Sequence, residues 1–251
     1  MIDFHSHFLP KIDDGAKNLD ESLEMLRISK KSGVDTIVST PHCYAFGGDA
    51  DIKHFLEKRK ASYSLVSNAI KNTDEEYPDI LLGCEVHLVH KLSTFSELPH
   101  LCIQNTDYIL LEMPASDWKD KDFEEIYQIT KLGLKPIIAH IDRYFDMQSK
   151  FPELFSLNLL FQANAESFIS RDTRRKLYSL FEKDALHILG SDMHNTTSRP
   201  PNLAEGYAVV ENKLGKEYAG YLGFASQKVL KNERVPMPRL PKLGFIKKML
   251  L

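Results

Sequence analysis

Seven short apolar runs, most of them followed by a stretch of helical periodicity, limit what this chain can fold into. They are IDF at 2–4, TIVST at 36–40, ILLG at 80–83, YILLEM at 108–113, PIIAH at 136–140, LLFQANA at 159–165 and LHILG at 186–190. Each is rich in Ile, Leu or Val, as a strand buried on both faces should be. Among the segments between them, the first opens on Asn18 with Glu21 as N-cap and capping partner, turns Leu19, Leu23, Leu26 and Ile28 inward and stops at Gly33. A long polar helix is expected at about 51–72, and others at about 122–133, 171–184, 202–213 and 216–231. Strand and helix alternating about seven times argue for a parallel sheet with helical crossovers. The 251 residues suit a closed β/α barrel, with an open doubly wound sheet as the competitor. No repeat, low-complexity tract or linker divides the chain, so 1–251 reads as a single domain with 235–251 as a C-terminal tail.

Composition removes several classes. Net charge is −3, which offers no basic surface for nucleic acid. Cys43, Cys84 and Cys102 form no CxxC pair, so neither a disulfide framework nor a thiolate zinc site is expected. A cysteine phosphatase needs an arginine six positions after its cysteine, and Asp49, His90 and Tyr108 stand there instead. The three thiols read as small buried hydrophobes. No run approaches the roughly 20 apolar residues of a membrane span. No signal-peptide pattern opens the chain, so a cytoplasmic location is expected. The tail's LGFIKKMLL is expected to pack on its own domain or form an oligomer contact, in preference to lying on a membrane surface.

The chemistry collects at one end of the runs. His5 and His7 follow the first, His42 the second and Glu85 the third. Glu112 ends the fourth, His140 and then Arg143 follow the fifth, and Asp192, His194 and Arg199 follow the seventh. In a β/α barrel all carboxyl strand ends open onto one face, which holds the active site. Residues i and i+2 of a strand point the same way, so His5 and His7 can reach one ion, and Asp192 with His194 repeats the pattern. Nitrogen and oxygen donors without thiolate suit manganese, iron or zinc. Five histidines and three or four carboxylates exceed what one ion takes, so a cluster of two or three is expected, bridged by a carboxylate such as Glu85. Taken singly each of these residues has a bland reading, such as a satisfied core histidine or a strand-end ion pair. His54, His87, His90, His100 and His187 are left to that reading. Arg143 and Arg199, flanking two of the motifs, offer the forked donors that a phosphoryl group requires.

Together HSHFLPKIDDGAKNLDESLEML, STPH, GCEVH, LLEMP, AHIDRY and SDMHN with its following arginine resemble the polymerase-and-histidinol-phosphatase (PHP) superfamily. More closely, they resemble its branch of bacterial capsular polysaccharide protein-tyrosine phosphatases. The resemblance runs from Met1 to about Gly223. It implies a distorted seven-stranded β/α (TIM-like) barrel and up to three divalent ions, manganese first, with iron or zinc as alternatives. Carried over, His5, His7, Asp192 and bridging Glu85 hold one ion. Asp14, His42 and His194 hold a second, and Glu85, Glu112 and His140 a third. Asp14 is preferred to Asp13 on family position alone. Arg143 and Arg199 match the phosphate-binding arginines. Many relatives read His-Pro-Glu-Arg where this chain has His140-Ile141-Asp142-Arg143.

The expected reaction is hydrolysis of phosphotyrosine in a protein by a metal-activated hydroxide, with the arginines on the equatorial oxygens. His42, Asp14 or a metal-bound water are the candidate general acids. The family implies a membrane-associated capsule or exopolysaccharide tyrosine kinase as the substrate protein. The alternative is a small-molecule phosphatase of the histidinol-phosphatase type. The loop 43–50 and the segment 114–121 would decide, since Tyr44, Phe46 and Trp118 could stack on a phenyl ring. An amidohydrolase is disfavoured, because no lysine stands at a middle strand end. A scaffold without catalysis is disfavoured because every ligand and both arginines are present.

Overall fold

The computed structural model describes residues 1–115, 117–236 and 240. Nine strand segments appear, all paired in parallel. They are β1 (Ile2–Asp3), β2 (Thr36–Ser39), β3 (His42–Cys43), β4 (Asp79–Leu82), β5 (Glu85–His87), β6 (Tyr108–Glu112), β7 (Lys135–Ile138), β8 (Leu160–Asn164) and β9 (Ile188–Gly190). They form two sheets, β1-β2-β4 and β3-β5-β6-β7-β8-β9. The architecture is thus an α/β half-barrel of parallel strands, and the open doubly wound alternative falls away.

Two of the seven expected runs, 36–40 and 80–83, are followed beyond a break by a further short strand that the sequence did not announce. The second breaks at Thr40-Pro41, where proline has no N–H to give the ladder. The third breaks at Gly83-Cys84. Backbone bonds still cross the breaks: Gly83 N–H donates to Ser39 O at 2.9 Å and Glu85 N–H to Pro41 O at 3.1 Å. At the other side, chain beyond β9 meets chain beyond β1. Asp192 N–H donates to His5 O (2.8 Å), His7 N–H to Met193 O (2.9 Å), and Ser6 bridges Met193. The first and last strands therefore lie side by side, which brings the two ends of the sequence to one place.

Among the described residues eight helices pack around the strands: α1 (Leu19–Lys31), α2 (Asp49–Lys71), α3 (Asp120–Lys131), α4 (Phe151–Phe155), α5 (Ala165–Ile169), α6 (Arg171–Glu182), α7 (Leu203–Leu214) and α8 (Lys216–Leu230). The Asn18 side chain accepts from Glu21 N–H, and Gly33 takes a φ of +93° just beyond the end of α1, as the sequence led us to expect. The buried face of α1 differs from expectation. It is centred on Ser22, Met25, Leu26 and Ser29, with Leu19 and Leu23 at its edges and Ile28 only partly covered. Ser29 can sit in that face because its hydroxyl donates back to Met25 O. The sequence reading missed the short α4 and α5 and the 3-10 turns of 141–150, which are too brief to show a period.

Strand alternation divides the core. Ile109 and Leu111 of β6 join the large cluster under α1, α3 and α6, while Tyr108 and Leu110 face a smaller one with Phe4, Val38, Ile137 and Ile188. Tyr221, Ala225 and Val229 of α8 close that second cluster, and Val235 and Leu240 pack against it. The rest of the expected tail, 237–239 and 241–251, lies outside the described residues. None of the described helices is long and apolar enough to cross a membrane.

His187, left aside as an ordinary histidine, is a buried core residue whose Nδ1 accepts from Phe161 N–H at 3.2 Å. Burial pulls its pKa down to about 4. A folded pKa below the unfolded one means that its contribution is complete above about pH 6.5 and is lost as pH falls toward 4. His187→Asn keeps an acceptor and removes the titration. Urea unfolding at pH 7 and pH 5 should show the wild type losing about 2 kcal/mol more than the variant.

Candidate metal centre

All the candidate ligands but Asp14, which comes from the loop before α1, sit at the carboxyl end of a strand or just beyond one, so the parallel sheet delivers them to one face. His5 and His7 follow β1, His42 opens β3, Glu85 opens β5, Glu112 ends β6, His140 follows β7, and Asp192 and His194 follow β9. Two of these residues have left-handed backbone, His140 at φ +32° and Asp192 at φ +54°. Such a conformation costs about 1–3 kcal/mol in a residue with a Cβ and is kept where the surroundings enforce it. Here it ends the strand sharply and turns both side chains into the cluster.

Glu85 is the hub. Its carboxylate lies 3.0 Å from His5 Nε2, 3.3 Å from His7 Nε2, 3.1 Å from His42 Nδ1 and 2.6 Å from His140 Nε2. Asp192 Oδ1 lies 3.5 Å from His5 and 3.6 Å from His7. Asp14 Oδ1 reaches His194 at 3.3 Å and His42 at 3.5 Å, while Glu112 stands 3.8 Å from His140. Three groups of donor atoms among the described residues lie within 4.8 Å of one another. They are His7, Asp14, His42 and His194; His5, His7 and Asp192; and His42, Glu85 and Glu112. All nine expected ligands thus come together. The first group is the expected Asp14, His42 and His194 with His7 added, and the second is the expected His5, His7 and Asp192 without Glu85. In the third, His42 joins Glu85 and Glu112, and His140 stands against both carboxylates.

The donor set fits divalent cations on three observations. First, His5 Nε2 and His7 Nε2 approach to 3.1 Å, with both rings fully buried. Because His5 Nδ1 donates to Gln162 and His7 Nδ1 to Asp13, the neutral rings turn both Nε2 lone pairs to the same place, which a cation can accept. Second, His42 Nδ1 and His194 Nε2 are buried and form no hydrogen bond, although Glu85 lies 3.1 Å from the first and Asp14 3.3 Å from the second, an arrangement suited to a cation between nitrogen and carboxylate. Third, the charges suit cations. Burial opposes ionisation of Glu85, but His5 and His140 overcome it and hold its pKa well below the usual range. Burial lowers His194 to about 4 and also lowers His42, with His7 adding to both, so the two imidazoles are neutral. Burial pushes His7 down as well, yet hydrogen bonds to Asp13 and Glu85 lift it to about 10. A field that binds protons this firmly also attracts metal ions, and loading them releases protons.

Residues that the sequence reading passed over hold the ligands in place. Asp13 accepts from His7 Nδ1 at 2.7 Å, from His42 N–H and from Gly15 N–H. It orients two ligands while its neighbour Asp14 faces the cluster. The sixth run, which offered no ligand, supplies Gln162 and Asn164. Gln162 Oε1 accepts from His5 Nδ1 (2.9 Å) and His140 N–H (2.8 Å), and Asn164 donates to Asp192 Oδ2 (2.7 Å). Outer partners of this kind fix the ring orientation and tautomer of metal-binding histidines. The available signal was a pair of amides at i and i+2 in an otherwise apolar strand. His87, also set aside, bonds Glu112 at 3.1 Å.

Both arginines rest on Asp192. Arg143 Nη2 contacts Oδ2, and Arg199 Nη2 lies 2.6 Å from Oδ1. Against burial, these two cations together with His5 and His7 keep the Asp192 carboxyl well below its usual range. Arg143 also lines a cavity of about 300 Å³ with Tyr44, His87, Glu112, His140 and Tyr144. A larger cavity of about 520 Å³ at the opposite strand ends, lined by Tyr108, Lys135, Leu160 and His187, holds none of this chemistry. Trp118, expected as a stacking residue, is buried and donates its indole N–H to Pro114 O, so it packs the loop instead. The three cysteines are buried and free, and burial raises their thiols.

A parallel α/β half-barrel that gathers nitrogen and oxygen donors at one face, with two arginines beside them, fits a metallohydrolase class. The family model for capsular polysaccharide synthesis, CpsB/CapC, matches residues 1–231, and the chain belongs to that family. The tyrosine-protein phosphatase CpsB of Streptococcus agalactiae serotype III is 30% identical over 259 residues, covering 94% of this chain and all of the relative. The tyrosine-protein phosphatase YwqE of Bacillus subtilis is 26% identical, covering 98% of this chain and all of the relative. Among solved structures, the chain matches one from the work on YwqE of B. subtilis and CpsB of Streptococcus pneumoniae, described as metal-dependent tyrosine phosphatases. The TM-score is 0.80 at 26% identity, covering 96% of this chain and all of the other.

Proposed function

We propose that this chain is a metal-dependent protein-tyrosine phosphatase acting in capsule or exopolysaccharide synthesis, with a capsule tyrosine kinase as its substrate protein. The observation that carries the reading is the convergence of five histidines and four carboxylates at strand ends, with Arg143 and Arg199 folded onto the same site. Residues 1–251 form one PHP-type domain with 235–251 as its tail, and the nine strand segments act as seven staves of a distorted barrel. The location is cytoplasmic, and a homo-oligomer is compatible with it.

His5, His7, Glu85 and Asp192 would hold one ion, Asp14, His42 and His194 a second, and Glu85, Glu112 and His140 a third, with manganese the first choice. When bound, such ions supply Lewis acidity, making water nucleophilic near neutral pH and screening phosphate charge. The chain's own groups do the rest. Gln162 and Asp13 hold the rings of His5 and His7 in position. Arg143 and Arg199 each bring one Nη2 to the Asp192 carboxylate, and a phosphoryl group would offer their forked donors more oxygens and more charge. Their grip strengthens as charge spreads over the equatorial oxygens. The leaving phenolate has a pKa of about 10 and needs less proton donation than an alkoxide would. His42 and Asp14 are the chain's candidate donors for that transfer.

The test is turnover of a phosphotyrosine peptide and of histidinol phosphate by manganese-loaded protein, with and without chelator. Chelator-sensitive cleavage of the peptide is the expected result. Cleavage of histidinol phosphate alone would favour the small-molecule reading, and turnover unaffected by metal removal would overturn both.

A further inference from the structure

Three aromatic rings stand in a row from the candidate centre outward. His42 stacks on Tyr44 with centroids 5.5 Å apart and planes 27° apart, and Tyr44 stacks on Phe46 at 6.0 Å and 12°. His87 lies against both outer rings, at 5.6 and 5.9 Å, while holding Glu112. Solvent reaches 49% of Tyr44 and 73% of Phe46. The loop does not need these rings to stay folded. Cys43 and Ala45 are its inward anchors and are fully buried, whereas Tyr44 and Phe46 alternate outward. Stacked on each other and both exposed, Tyr44 and Phe46 form a contiguous aromatic patch rather than singly scattered apolar residues. The site's own cavity adjoins this wall, since Tyr44 lines it together with Glu112, His140 and Arg143.

We propose that Tyr44 and Phe46 form the surface that selects aryl phosphates, packing against the substrate's ring while its phosphoryl group reaches Arg143 in the same cavity. This rests on the phosphatase reading above and adds the reason for preferring tyrosine. An alkyl phosphate can satisfy Arg143 but leaves the wall wet. An aryl ring gains both apolar contact and stacking, for which offset aromatic pairs are suited.

Binding of phenylphosphonate and methylphosphonate to the manganese-loaded full chain, by calorimetry, separates the two contributions. The wild type should prefer the phenyl compound. Phe46→Ala should cut that preference about tenfold by weakening the phenyl compound alone, consistent with stacking plus area. Phe46→Leu should recover part of the loss. Phe224→Ala, an exposed ring on α8, should change nothing. Circular dichroism and molar mass by light scattering accompany each variant. An unchanged preference in folded Phe46→Ala overturns the proposal, as does a fall in molar mass with the preference intact, which would make the wall a contact between copies. A wild type that hydrolyses phosphotyrosine without any phenyl preference overturns this proposal alone. A wild type that neither binds nor cleaves any phosphate ester overturns the phosphatase reading and this proposal with it.

Discussion

Glu85→Gln should lower manganese-dependent phosphotyrosine turnover by at least about a thousandfold, roughly 4 kcal/mol of transition-state stabilisation. The substitution changes almost no volume, so packing is not the cause. It removes the one carboxylate that stands within about 3.3 Å of His5, His7, His42 and His140. A glutamine amide offers one neutral oxygen, and its NH2 would face imidazole nitrogens that must remain lone-pair donors. Two ion positions should empty together, because Glu85 belongs to two of the proposed ligand sets. Elemental analysis of the purified variant, beside its turnover, checks this. Full metal content with full activity would show that the hub is ornamental.

The second large effect comes from a residue with no functional group. A Cβ on Gly15 would stand 2.0 Å from the His7 carbonyl oxygen and 2.7 Å from His7 Cβ. No rearrangement of a flexible side chain can relieve a clash with backbone. The approach is this close because Ala16 N–H donates to His7 O and Gly15 N–H to Asp13, folding the 13–16 loop back over β1's continuation. Gly15→Ala should therefore displace Asp13, Asp14 and His7 together. It should cost about 2–4 kcal/mol of stability, in the range of severe overpacking, and lower turnover by at least about a hundredfold. Urea unfolding and turnover of the same preparation measure both. Wild-type stability with wild-type activity would contradict the loop geometry described.

The close approach at Gly15 also marks where the sequence stopped being legible. A glycine after two aspartates reads as an ordinary turn, and nothing in the letters says that the turn folds onto His7. The strands were readable because apolar runs carry their own signal, and the ligands were readable because they recur at one end of those runs. The ladder breaks at Pro41 and Gly83 depend on pairing between distant segments, so the short strands β3 and β5 beyond those two runs went unread. Gln162 and Asn164 were missed for a related reason. Each is an unremarkable amide until β8 is placed beside His5, His140 and Asp192. Asp13 and Asp14 are chemically identical, and only the fold assigns one to the ring of His7 and the other to His42 and His194. Trp118 shows the converse. Large aromatics near a site invite a binding role, but its indole turned inward to Pro114 and to Tyr144, 5.1 Å away.

The central claim is that these strand ends gather cations. Crystals of the protein grown with manganese, measured at an X-ray energy where manganese scatters anomalously, test it directly. Two or three anomalous peaks should appear among His5, His7, Glu85, His140, Asp192 and His194, each within about 2.0–2.3 Å of nitrogen or oxygen donors. A map with no peak there, from protein shown to bind the metal in solution, would contradict the account.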